Sequence, residues 1–377
     1  MKKPFQQLKQ RGDIIRQFTP NWFTVTMGTG VVALIIAELP IASAFFWQLG
    51  NGLWHFNILL FIFFTVLYAL RWIKYPTEAA QVLSHPTMSL FLGAIPMGLA
   101  TILNGFLKFG VTLYGDVAVQ IAESLWYIDV ILAVLIAWAV PFLMYSRQQH
   151  QLHSMTAVWL LPIVACEVAA SSGGLLLQHL EVSQHAVMIL LGSYVLWGIS
   201  VLPAFAILTI LMLRLAMHQL PAKDMAISSW LALGPIGTGA LALLLLGQQA
   251  PQVLAVVELK QVGEFFQYAG MFGSLILLGF GVWWLGIAIL TTIQHLKTGL
   301  PFNLGWWGLT FPLGVFTLAV LNVAAQTGVN GITQIGYALA ILLIGLWFMV
   351  MAKTVHGFYC GTLFFSPCLK RYLEQKA

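Results

Sequence analysis

Charge is what this sequence has least of. Only 8% of its 377 residues are Asp, Glu, Lys or Arg, and 60% are hydrophobic. A water-soluble domain carries about 25% charged residues. No aqueous fold can hide this much apolar surface, so the solvent for most of the chain is lipid. Cysteine is also scarce. Cys166, Cys360 and Cys368 have no metal-ligand spacing and no partner framework. Cys166, inside an apolar run, reads as a small packing residue, and the other two read as free thiols. There is no Gly-x4-Gly-Lys-Ser/Thr loop and no room for a nucleotide-binding domain, which excludes ATP-driven transport on this chain. His-Glu-x-x-His, Gly-x-Ser-x-Gly and paired-carboxylate patterns are missing too. No enzyme chemistry, cofactor or metal is expected. His150 and His153 lack a carboxylate or thiol companion and read as interfacial residues.

What is present is a series of ten apolar runs, each near the ~20 residues that cross a bilayer. They lie at about 20–40, 54–73, 86–107, 121–145, 156–178, 186–215, 229–249, 265–293, 304–325 and 333–355. The fold class is therefore an all-α polytopic membrane protein. A basic segment (1–19) precedes the membrane domain (20–356), and a tail (357–377) follows it. Phe5, Leu8, Ile15 and Phe18 could form one face of an interfacial helix, with Lys2, Lys3, Lys9, Arg11 and Arg16 opposite; a disordered basic tail is the alternative. With both termini in the cytoplasm, fifteen of the seventeen Lys and Arg fall inside, and only Lys108 and Lys260 outside. That bias fixes an even number of spans in a plasma or inner membrane. It also turns the net charge of +5 into a topology signal, with no implication of nucleic acid. Short outside loops are expected at Phe45–Gly52, Gly110–Val119 and Thr327–Gly331.

The odd runs repeat one layout: an aromatic residue, then Pro or Gly five positions on, then Gly two further. It reads Phe23/Gly28/Gly30, Phe91/Pro96/Gly98, Trp230/Pro235/Gly237 and Trp307/Pro312/Gly314. The aromatics are 68, 139 and 77 residues apart, so one member is missing near residue 160. Trp159, with Pro162 and then Gly173 and Gly174, is its degenerate copy. Five repeats of about 70 residues are five helical hairpins. Proline and glycine break the odd helices near their middles. Broken backbone survives at membrane depth only where protein buries it or a cavity runs past it. The even runs, bulky and unbroken, suit lipid. The expected architecture is a pseudo-fivefold ring of kinked inner helices (1, 3, 5, 7 and 9) around a central pore, wrapped by the even helices.

In such a ring the residues four after each aromatic share a level: Met27, Ile95, Gly234 and Phe311, with Ile163 as the fifth. Stepping down one face gives Met27, Val31, Leu34 and Glu38; Gly234, Thr238, Leu241 and Leu245; and Phe311, Val315, Leu318 and Asn322. The backbone breaks Gly28, Gly30, Pro96, Gly98, Pro235, Gly237, Pro312 and Gly314 are expected along the same lining. The wall is almost wholly apolar, so it binds permeant ions weakly and can close by side-chain occlusion or dewetting. Phe311 is the bulkiest side chain at its level and is either a gate or an aromatic packed against its neighbours. Glu167 is a carboxylate in mid-membrane, a functional candidate by default. It either exchanges a proton with a passing anion or is a carboxyl hydrogen-bonded across helices. Asp129 is expected to pair with an inner-helix hydroxyl or amide.

Thr19-Pro-Asn-Trp-Phe-Thr-Val-Thr-Met-Gly-Thr-Gly30, Trp159-Leu-Leu-Pro162 and Trp306-Trp-Gly-Leu-Thr-Phe-Pro-Leu-Gly-Val315 together resemble the tellurite-resistance/dicarboxylate transporter family. That family takes in bacterial tellurite-resistance protein A, fungal malate permeases and sulfite pumps, and the slow anion channels of plant guard cells. The resemblance runs the length of the chain, and its start and fifth span are similar to the malate and bacterial branches. It implies a homotrimer of independent pores, and it implies that Phe311 occludes each one. The function expected is passage of small anions: C4-dicarboxylates such as malate, with chloride, nitrate, sulfite or tellurite as further cargo. The alternative is a proton-coupled dicarboxylate or sulfite carrier with Glu167 as proton site.

Overall fold

A computed structural model describes residues 4–6, 8, 10, 12–40 and 43–376. Lys2, Lys3, Lys9 and Arg11 of the expected interfacial helix lie outside them. Among the described residues the chain is nearly all helix, without a strand. The main helices are α1 (Phe23–Ile36), α2 (Ser43–Lys74), α3 (Ala94–Gly105), α4 (Asp116–Ser146), α5 (Leu161–Leu176), α6 (Gln184–His218), α7 (Leu233–Leu254), α8 (Lys260–Leu296), α9 (Phe311–Thr327), α10 (Asn330–Cys360) and α11 (Pro367–Lys376). Nine helical segments among the described residues are long and apolar enough to cross a bilayer; the first run forms the shorter segment Pro20–Ile36.

Burial separates two classes. The apolar windows of the segments holding α3, α5, α7 and α9 are 83, 89, 94 and 78% buried, and every residue of α1 is buried. The windows of α2, α4, α6, α8 and α10 are only 22–33% buried and turn large side chains such as Leu59, Trp138, Leu202, Phe272 and Phe348 outward. The odd helices are the core and the even helices are the jacket. Each inner helix packs on the next in the order α1, α3, α5, α7, α9, and α9 packs back on α1. The ring is closed.

The jacket ties this ring through indole N–H groups. Trp54 of α2 donates to the Ile102 carbonyl of α3 (3.0 Å), Trp126 of α4 to Ala169 of α5 (2.9 Å) and Trp197 of α6 to Gly239 of α7 (3.0 Å). Trp347 of α10 donates to the Thr29 hydroxyl of α1 (3.2 Å), which joins the last hairpin to the first. Helix α8 breaks the pattern and bonds back to α7, with Ser274 donating to the Ala240 carbonyl at 2.9 Å.

Prolines play a different part from the one expected. Each inner helix begins as a short 3₁₀ turn (Pro20–Trp22, Ser89–Gly93, Ala157–Leu160, Ala226–Ala232, Leu304–Leu309) and then becomes α-helical. Pro96, Pro162, Pro235 and Pro312 fall in the first α-turn, where a missing N–H costs no internal bond. They start the α-helices and do not kink their middles. Loop lengths are corrected as well. Phe45–Gly52 lies inside α2, and Gly110–Val119 is helical apart from a turn at Gly115, whose φ is +60°.

The described parts of both terminal segments fold onto one end of the bundle. Phe18 stacks on Trp22 at 5.7 Å, and Phe5 and Phe364 join the same aromatic cluster. The Arg71 guanidinium caps the Phe18 carbonyl and donates to the Ser366 hydroxyl. Arg16 pairs with Glu78 at 2.6 Å.

Glycine sets the approach of the inner helices. A Cβ on Gly237 would sit 2.6 Å from the Phe316 backbone nitrogen, whereas one on Gly345 of α10 would meet nothing within 4 Å. Gly237→Ala should therefore destabilise the protein by about 1–3 kcal/mol, and Gly345→Ala should be neutral. Thermal unfolding of the two purified variants checks the difference.

Candidate functional site

Two cavities lie at opposite ends of the ring. The first, about 480 Å³, is at the amino-terminal ends of the inner helices, and its wall includes Asn21, Thr24, Met27, Phe91, Leu161 and Asn303. The second, about 360 Å³, is at their carboxy-terminal ends, walled by Leu34, Glu38, Asn104, Leu175, Leu241 and Asn322 among others.

One stripe of α1 and the turn after it reaches both: Met27 lines the first cavity, and Leu34 and Glu38 the second. Leu241 and Leu245 of α7, and Leu318 and Asn322 of α9, line the second cavity too. By helical period the same faces carry Thr238 and Val315 about one turn further in than Leu241 and Leu318, and Gly234 and Phe311 about two. These four line neither cavity. All four are buried, as is Val31 of α1. A Cβ on Gly234 would have only Val164, at 4.0 Å, within reach, so this level has room on the α7 side. Phe311 is 3% exposed and makes no ring contact with another aromatic among the described residues. Its backbone is fixed from behind: Thr310 donates to the Trp307 carbonyl (2.7 Å), and the Trp307 indole to the Thr354 hydroxyl of α10 (3.1 Å).

Several expected lining residues are placed elsewhere. The side-chain positions of Gly28, Gly30, Gly98 and Gly314 are filled by Thr310, Thr101, Thr26 and Val31 of the adjoining inner helix, and that of Gly237 by Phe316. These glycines face helix–helix contacts, where a small residue lets backbones approach. Pro96, Pro235 and Pro312 open their helices and line neither cavity. In the fifth span the aromatic precedes its proline by three residues, not five, so the register counts from Pro162. Leu161, just before Pro162, lines the first cavity, and Ile163, the fifth position expected from the repeat, lines neither. Ile95 precedes Pro96 as Phe311 precedes Pro312, but it lines neither cavity.

Glu167 is fully buried and away from both cavities. Its carboxylate turns behind the wall, close to Gly239 of α7 and to Ser200 of α6, and neither oxygen makes a well-formed hydrogen bond among the described residues. Asp129 is likewise buried without the hydroxyl or amide partner expected for it.

Unforeseen is the polar rim of the second cavity. Asn104, Gln178, Gln248 and Gln326 add amides beside the expected Asn322, and Lys108 pairs with the expected Glu38. Each inner segment adds a polar side chain at the end of its apolar run, a signal that was in the sequence but needed the ring to have meaning. At the first cavity five parallel helix amino termini converge, and their partial positive charge favours anions.

The inner helices thus form a closed ring with a cavity bearing polar side chains at each end. The family profile described as SLAC1, voltage-dependent anion channel, matches residues 17–355. The chain belongs to the SLAC1 family. Within the curated relatives, this SLAC1-family chain is 35% identical to the sulfite efflux pump SSU1 of Arthroderma otae over 363 residues, covering 93% of this chain and 96% of that protein. It is 31% identical to an uncharacterized transporter of Methanocaldococcus jannaschii (93% and 97% covered) and 21% identical to the malic acid transport protein of Schizosaccharomyces pombe (96% and 83%). Anion transport across a membrane is the function of this family, and no enzyme is among these relatives.

The stripe can be read by single cysteines, since the three native cysteines are buried. An impermeant thiol reagent should label Asn21→Cys only from the first side and Asn322→Cys only from the second. It should label Val315→Cys from neither side. Equal labelling of Asn21→Cys and Asn322→Cys from one side would contradict the two-mouth geometry.

Proposed function

We propose that the protein conducts a small anion along the axis of the inner ring, and that the Phe311 ring closes the path between the two mouths. One observation carries the reading. The lumen stripe that reaches the second cavity at Leu318 and Asn322 ends, two turns deeper, at Phe311, which neither cavity reaches. The stripe offers no cation, so a passing ion gains little and selectivity follows the cost of dehydration. Singly charged, weakly hydrated forms pass most easily on this reading.

Sulfite, as its monoanion, is the cargo that best fits both the wall and the 35% identity to a sulfite efflux pump. Malate is the further candidate, on the more distant likeness to a malic acid transporter. Chloride and nitrate fall in the same class of small anions. Cargo enters from the first mouth, where helix amino termini gather and where Arg147, Lys223, Lys297 and Lys353 also lie; this face is the cytoplasmic one, in the plasma or inner membrane. The same reading keeps the homotrimer, each subunit with its own path.

In proteoliposomes of the purified protein, Phe311→Ala should raise downhill sulfite and chloride flux about tenfold or more, equivalent to ~1.4 kcal/mol off the barrier. Unchanged flux in a folded variant would remove the gate assignment.

A second reading, proton-coupled carriage, rests on the carboxyl of Glu167 in mid-membrane without a firm partner. It predicts uphill uptake driven by a pH gradient, lost in Glu167→Gln while downhill flux stays. The position of Glu167 behind the wall favours the channel-like reading. Under it Glu167→Gln leaves flux and its pH dependence unchanged.

A further inference from the structure

A separate pocket of about 140 Å³ lies beside the first mouth, outside the membrane-spanning ring. Three distant parts of the chain build it. The short helix Pro76–Ser84 and the residue after it give Gln81, Ser84 and His85; the end of α4 gives Arg147; and α11 gives Arg371 and Gln375. Every one of these side chains is polar, and no carboxylate lines the pocket. Among the described residues neither the Arg147 nor the Arg371 guanidinium has an ion-pair or hydrogen-bond partner. The nearby pairs are satisfied elsewhere: Glu78 is held by Arg16, and Glu374 lies near Lys370. Burial pushes the Cys368 thiol in the same wall up to about 11, so it adds no negative charge.

Two free guanidinium groups in one small polar cavity have a specific complement. Each planar fork matches two oxygens of one anion. The pocket, at about 140 Å³, has room for one tetrahedral oxyanion with part of its hydration. We propose that this pocket binds a phosphate-type oxyanion between Arg147 and Arg371, as free phosphate or sulfate or as the phosphomonoester of a lipid headgroup.

The pocket communicates with the mouth through His85, which lines both cavities. Nδ1 of His85 accepts the backbone N–H groups of Thr87 and Met88, both at 3.2 Å, and so shapes the turn that opens the third span. An anion seated beside His85 is one side chain away from the path of the cargo. This site is independent of the gate: it would stand if Phe311 proved not to occlude anything.

The test is binding by the full-length purified protein. Calorimetry with inorganic phosphate, against chloride at matched ionic strength, reads the free ion. Vesicles of phosphatidylcholine with and without phosphatidate read the headgroup. Saturable binding of phosphate or of phosphatidate is expected in the wild type. It should weaken about tenfold in Arg147→Gln or Arg371→Gln, the order for one lost charge-assisted contact, and vanish in the double variant. Arg147→Lys should recover part of it. Both arginines are exposed, so the unliganded melting temperature should not move, and a variant that does melt earlier is replaced by its lysine counterpart. Binding of phosphatidate alone supports the site and names lipid as its source. Absence of binding to both probes, or binding unaltered in the double variant, overturns the proposal.

Discussion

Everything in this molecule depends on how closely five helices can stand around an axis. The limit is set by backbone against side chain: Gly237 on the Phe316 backbone, Gly314 under Val31, Gly28 under Thr310, Gly30 under Thr101 and Gly98 under Thr26. At that range the inner helices pack directly on one another around the axis. Two cavities remain, one at each end. The jacket then holds the ring from outside with indole N–H groups bonded to inner-helix carbonyls and to Thr29. Lipid supplies no hydrophobic force between helices, so packing and these bonds carry the association.

The chemistry of transport follows from the parallel sense of the inner helices. All five point their amino termini at one mouth, which welcomes anions, and none places a cation on the wall between. The far mouth is lined by neutral amides, with its one lysine tied to Glu38. On the proposed reading an anion is attracted at the first mouth and meets no deep well on the way through.

Much of this was legible in the chain. The alternation of broken and smooth apolar runs gave the inner and outer classes, and the aromatic–proline–glycine repeat gave the hairpins and their closure. The stepping from Met27, Gly234 and Phe311 by helical period led to Leu34, Glu38, Leu241, Leu245, Leu318 and Asn322, all of which border the second cavity. What failed did so for physical reasons. A proline in an apolar run reads as a kink, yet a preceding 3₁₀ turn makes it the start of the α-helix. A glycine beside a lining residue reads as lining, but at 100° per residue its neighbour on the ring faces another helix. Glu167 was conspicuous as a charge in lipid, and only packing shows that it turns away from the axis. The pocket of His85, Arg147 and Arg371 joins residues more than sixty positions apart at each step, with no local pattern to betray it.

The central claim is that the stripe through Phe311 and Leu318 is the wall of the anion path. The most direct test is block from within, in the double variant Phe311→Ala/Leu318→Cys in proteoliposomes. Modifying the cysteine with a bulky thiol reagent should return anion flux to the low wild-type level, in proportion to the fraction of protein modified. Complete modification with no loss of flux would mean that the ions travel elsewhere, and the account would be wrong.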